Sequence, residues 1–164
     1  MSSRYSFLII FIISLLILLA AAYFQFVKGY EPCPLCIMER VAFLIVGIIA
    51  LIATCHNPTR LGTWIYTVLI ILFCLAGLYF AGKQVWLQHL PPDQVPACGP
   101  GLNVLIEDFP LSTILHELFF GSGQCAEVDW TFLSLSFAGW ACVWFGVLIL
   151  LAVWAAIRRT RFLG

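Results

Sequence analysis

Cys33 and Cys36 stand three residues apart at the head of an apolar run, and Arg40 follows one helical turn later. A CxxC pair can open and close a disulfide, with the thiolate as its reactive form. Pro34 is expected to end the irregular segment and let a helix begin near Leu35 or Cys36. Cys36 then falls in the first turn, at the positive end of the helix dipole. Arg40 at i+4 shares its face, while Glu39 at i+3 opposes the charge. Dipole and cation favour Cys36 as thiolate, and Glu39 is expected to turn towards water. The same arginine offers a planar donor fork to a carbonyl oxygen, although arginines at span ends also snorkel to the interface with no further role. A lone CxxC also serves as a structural link or as half a zinc site, but zinc needs two more suitably spaced ligands.

Four cysteines lie in or beside polar segments: Cys33, Cys36, Cys98 and Cys125. Three pairings are open to four cysteines. A vicinal CxxC closes readily, so Cys33 is expected to pair with Cys36 and Cys98 with Cys125. Gly99 follows Cys98, and Gly121 and Gly123 precede Cys125. A link between mobile loops is a labile one, yet the same link could be a staple worth about 2–4 kcal/mol. Spacing leaves both open. Cys55, Cys74 and Cys142 read as small apolar packing residues, with Ala138, Cys142 and Gly146 forming a small-residue stripe.

The elements that position these groups are membrane spans. The chain has 164 residues, 63% hydrophobic and 10% charged, with mean hydropathy +1.04. Soluble domains carry about 25% charged residues, so an integral membrane protein of one domain, 1–164, is expected. A net charge of +0 suggests no nucleic-acid partner. Apolar runs at about 7–27, 37–55, 61–81 and 136–157 approach the roughly 20 residues a spanning helix needs. The first, with Arg4 before it and Ala20, Ala21 and Ala22 near its end, resembles a signal peptide, but it exceeds the usual run of about 7–15 residues and is expected to be retained. An all-α bundle of four transmembrane helices follows.

Basic residues orient it. Arg4, Arg60, Arg158, Arg159 and Arg161 fall on one side, against Lys28, Arg40 and Lys83 on the other. The first side is therefore expected to be cytoplasmic (about 1–6, 56–60 and 158–164), with outer loops at about 28–36 and 82–135. All eight acids lie on the outer side. Pro91, Pro92 and Pro96 stop the third helix from running on. Leu111, Ile114, Leu115, Leu118 and Phe119 then give the periodicity of a short one-faced helix. Such a helix either lies horizontally on the membrane surface or packs against the span tops. If the outer side is a bacterial periplasm, disulfides persist there.

The run Glu31-Pro32-Cys33-Pro34-Leu35-Cys36-Ile37-Met38-Glu39-Arg40, with Gly121-Ser122-Gly123-Gln124-Cys125-Ala126-Glu127 and then Trp130, resembles the disulfide bond formation protein B (DsbB) family of bacterial inner-membrane proteins. The resemblance covers essentially the whole chain. It implies a quinone-dependent thiol oxidoreductase that re-oxidises a periplasmic DsbA-type oxidase and passes the electrons to ubiquinone or menaquinone, a relay already known from bacteria. It further implies that Cys98 is attacked by the partner's thiolate to form a mixed disulfide, that Cys125 resolves it, and that Cys36 of the second pair faces the quinone. Arg40 matches the quinone-binding arginine, with Glu39 close by. Where some members carry a quinone-contacting histidine, this chain offers Gln84 or His89. A quinone-linked reductase of the vitamin K epoxide type, a copper carrier and a doubly stapled structural protein are the competing readings. The scarcity of methionine, Met1 and Met38 only, argues against copper.

Overall fold

The computed structural model describes residues 3–91, 93–95, 112, 119, 121, 123–128 and 130–161. Four long helices form it: α1 Ser3–Phe26, α2 Pro34–His56, α3 Arg60–Gln88 and α4 Phe137–Arg161. Each carries a stretch long and apolar enough to cross a membrane. In hydrocarbon every backbone polar group must be satisfied within its own segment, and helices do this. Helix α1 packs on α2, α2 on α3, α3 on α4, and α4 returns to α1. Leu16, Leu19, Leu72 and Leu150 are exposed on the outside, as side chains facing lipid would be.

The core is aromatic at its centre. Phe43 of α2 stacks on Phe145 of α4, with ring centroids 4.0 Å apart. Gly77 of α3 leaves room for that stack: a Cβ there would come within 2.2 Å of the Phe145 Cζ. Gly77→Ala is therefore expected to destabilise the bundle by about 1–3 kcal/mol, read as a lower melting temperature in detergent.

Two packing expectations change. The buried face of α4 runs through Ala138, Ala141, Phe145, Leu148, Ala152 and Ala155. Of the expected stripe, Ala138 lies on it and half-buried Cys142 packs against it, but the place of a Gly146 Cβ is open space. The larger side chains of the buried face fit because Gly77 receives Phe145. Cys74 is buried in the core as expected, whereas Cys55 is exposed at the end of α2.

Helix α3 overruns its apolar stretch. It has 29 residues and ends at Gln88, so at 1.5 Å per residue it is about 43 Å long, against roughly 30 Å of hydrocarbon. Lys and Gln favour the helix nearly as well as Leu, so nothing stops it until the prolines. This overrun raises Gln84 and Gln88 to the level of the α2 N-terminus.

Two small elements complete the same end. A 3-10 turn, Gly123–Ala126, packs on α3 and α2. A two-stranded antiparallel hairpin then pairs Thr131 with Ser136 and Phe132 with Leu135. Its turn residues, Leu133 at φ 51 and Ser134 at φ 64, are left-handed, a turn normally signalled by Asn or Gly. The short helix expected around 111–119 lies outside the described residues except for Ser112 and Phe119. Phe119 packs against the top of α3: its ring is 5.8 Å from that of Phe80, and its carbonyl accepts a 3.1 Å hydrogen bond from Lys83.

Candidate redox site at the helix ends

Pro34 occupies the first turn of α2, where its missing N–H costs nothing. Cys33 becomes the N-cap, its backbone extended at φ -69 and ψ 163, and its sulfur accepts the Cys36 N–H at 3.4 Å. The helix thus starts a residue earlier than expected, with Cys36 in the first turn. The Cys33 thiol donates to the Cys36 sulfur at 2.9 Å.

Cys33 has a second sulfur beside it. Cys125, fully buried in the 3-10 turn, packs in the same buried cluster as Cys33. The neighbouring Cys125 and Cys36 thiols, together with burial, push the Cys33 thiol above its ordinary range and hold it protonated. Gly121 permits this approach. Its φ is +77, and a Cβ would lie 2.9 Å from Leu35 Cδ1, so a larger residue would strain the segment and press the 3-10 turn away from α2. Three of the four expected cysteines therefore converge: Cys36, Cys33 and Cys125. Cys98, the partner expected for Cys125, lies outside the described residues.

The cation expected beside Cys36 points elsewhere. The Arg40 guanidinium donates from Nη1 to Gln25 Oε1 and from Nη2, at 3.4 Å, to the Ala21 carbonyl oxygen. Both acceptors belong to α1 near its C-terminal end, where oxygens carry the negative end of the dipole. Glu39 is likewise not turned to water. It is 6% exposed, and its Oε1 has no hydrogen-bond partner among the described residues. The group that meets Cys36 is Gln84, 4% exposed. Its Nε2 donates to the Cys36 sulfur at 3.3 Å, and its Oε1 lies 3.4 Å from the same sulfur. His89 stands apart: exposed, it caps α3 and holds the Val85 carbonyl oxygen at 2.8 Å through Nδ1. Of the two candidates, only Gln84 reaches the site.

Cys36, Glu39, Arg40 and Gln84 share one cavity of about 1010 Å³. One wall of it is aromatic. Trp130 stacks on Phe137 at 4.6 Å, Phe24 meets Phe137 edge-on at 5.0 Å, and Trp130 stacks on Phe132 at 5.9 Å. Trp140, donating to the Phe132 carbonyl oxygen at 3.1 Å, ties this wall to the hairpin. Sequence reasoning missed the wall. The crowding of Trp130, Phe132, Phe137 and Trp140 into eleven positions was its signal, but the hairpin that folds them together lacks turn-forming residues. Chemically the arrangement can exchange a disulfide among three neighbouring sulfurs, and present a sulfur to a ligand in a cavity lined by aromatic and polar side chains.

Known proteins are similar to this chain in sequence. The family described as "Disulfide bond formation protein DsbB" matches residues 3–155. The chain is similar to the "Disulfide bond formation protein B" of Nitrosococcus oceani, 48% identical over 154 residues that cover 94% of this chain and 91% of the relative. The protein of the same name from Hahella chejuensis is 50% identical, covering 86% of each chain. That of Acinetobacter baumannii is 49% identical, covering 84% of this chain and 81% of the relative.

Proposed function

The chain belongs to the DsbB family of disulfide bond formation proteins, a multi-pass membrane protein, and on that premise we propose that it re-oxidises a DsbA-type dithiol oxidase and passes the electrons to a membrane quinone. The observation that carries this reading is the packing of three sulfurs, Cys125, Cys33 and Cys36, at the wall of a cavity lined by aromatic and polar side chains. In the proposed setting the membrane is the bacterial inner membrane, both termini are cytoplasmic and the sulfurs face the periplasm.

Electrons enter at Cys98–Cys125. The partner's thiolate attacks Cys98, forming a mixed disulfide and releasing Cys125 as thiolate. The partner's second thiol then attacks the mixed disulfide and leaves oxidised, with Cys98 and Cys125 reduced. Cys125, already against Cys33, attacks the Cys33–Cys36 disulfide at the Cys33 sulfur and frees Cys36. Cys98 closes back on Cys125 and leaves Cys33 and Cys36 as the dithiol. Through these steps each disulfide gains two electrons and two protons before it passes them on. A bound quinone supplies the acceptor for two electrons and two protons.

The cavity fits a quinone head: its volume is ample, aromatic rings form part of its lining, and Cys36, Gln84 and Arg40 line it as well. Gln84 steadies the Cys36 sulfur by its amide N–H. Arg40, anchored to α1 by two acceptors, keeps further N–H groups to offer a ring carbonyl. The reading is tested by mixing purified protein, ubiquinone or menaquinone, and a reduced DsbA-like donor, and following quinone absorbance. Turnover is expected, and quinone left unreduced in the presence of oxidised donor would contradict it. Arg40→Ala is expected to raise the quinone KM about tenfold or more, the worth of a hydrogen bond to a charged group, and to leave exchange with the donor unchanged. An unchanged KM would leave Arg40 as a tie between α1 and α2.

A further inference from the structure

A dithiol that reduces a quinone gives up two protons as well as two electrons. Two S–H bonds break, one S–S bond forms, and two O–H bonds form on the acceptor. The groups touching the Cys36 sulfur do not carry protons onward: Cys33 is the other reacting thiol, and the Gln84 amide neither gains nor loses one. Among the described residues that line the cavity, Glu39 is the buried carboxyl that the exchange steps leave unused. It lies one turn from Cys36 on α2, lines the same cavity, and is 6% exposed. Its Oε1 is buried without a hydrogen-bond partner among the described residues. A carboxylate kept for structure would be paired, because burying an unpaired charge is costly. Its sequence neighbour Arg40 spends two donors on Gln25 and Ala21 instead. The other ionisable groups that line this cavity are Cys36 and Arg40 of α2, Cys33 at its N-cap, and Tyr30, Glu31 and Glu127 of the loops, with Glu31 and Glu127 exposed.

We propose that Glu39 is the proton relay of the cavity: its buried carboxyl gives its proton to a quinone oxygen and takes a replacement from the Cys36 thiol. The proton of Cys33 follows by the same route, so Glu39 ends each cycle as it began. The inference rests on the quinone reading and deepens it.

Two measurements test it. Infrared difference spectra of quinone-free protein, taken between the oxidised and reduced Cys33–Cys36 pair, are expected to contain a carboxyl C=O band. That band is expected to vanish in Glu39→Gln and to move in Glu39→Asp. No such band in the native protein, or a band that persists in Glu39→Gln, overturns the relay. In turnover with ubiquinone, Glu39→Gln is expected to lower kcat about 10²-fold, the scale of acid–base assistance, while KM stays within about twofold. Glu39→Asp is expected to restore most of the rate. A kcat that stays near native, or a loss found wholly in KM, rejects the relay. If Glu39→Gln does not fold, the infrared measurement on native protein decides alone. Native protein that reduces no quinone removes the functional reading, a failure distinct from a normal Glu39→Gln rate.

Discussion

Cys36→Ser is expected to abolish quinone reduction, leaving only the uncatalysed background. A hydroxyl at this position can accept the Gln84 amide but cannot form the disulfide whose closure releases the electron pair. The structure gives the substitution little else to disturb: Cys36 is half-buried in the first turn of α2, and serine is tolerated near helix starts. The donor should still exchange once with Cys98–Cys125, because that step precedes Cys36. A single round of donor oxidation without quinol is therefore the expected pattern, seen by thiol counting alongside absorbance. Continued quinol formation in Cys36→Ser would move the electron exit to another sulfur.

The second large effect belongs to Cys125. Cys125→Ser removes the thiol that carries electrons from the partner's disulfide towards Cys33. Cys98 is then a lone thiol, so the donor, cut back to its single attacking cysteine, is supplied as its mixed disulfide with thionitrobenzoate. Cys98 displaces thionitrobenzoate, and with no resolving sulfur on either side the covalent adduct should accumulate towards full occupancy, visible as a mass shift under non-reducing conditions and removed by reductant. No adduct would count against Cys98 as the sulfur first attacked. Because Cys125 is fully buried against Cys33, an adduct at Cys125 itself is not expected in the native protein.

Much of this site could be read from residue types and spacing. The CxxC beside a proline announces a helix start, and the helix does begin at Pro34. The four apolar runs announce four spans. Side-chain direction was less legible. Arg40 was expected beside Cys36 because i and i+4 share a face, yet its oxygen acceptors lie on α1, fifteen or more residues away in the chain. Periodicity within one helix carries no information about a neighbour's carbonyls. Glu39 was expected in water, and only the packing of the other elements around α2 buries it. Gln84 owes its place to the overrun of α3, since hydropathy marks where the apolar run stops and not where the helix does. The hairpin after Trp130 escaped for a local reason: Leu133 and Ser134 are poor residues for a left-handed turn. The approach of Cys125 to Cys33 is purely tertiary, made possible by Gly121 seating against Leu35.

The measurement that bears most directly on the account is the stoichiometry of one complete cycle in native protein. Reduced DsbA-like donor is supplied in limiting amount to protein with excess ubiquinone, under exclusion of oxygen, and donor disulfide and quinol are counted together. The account predicts one quinol for each donor dithiol oxidised. Donor oxidised in excess of the protein's own cysteine pairs with no matching quinol would contradict it, since the electrons would then have left by some path other than Cys36 and the cavity beside it.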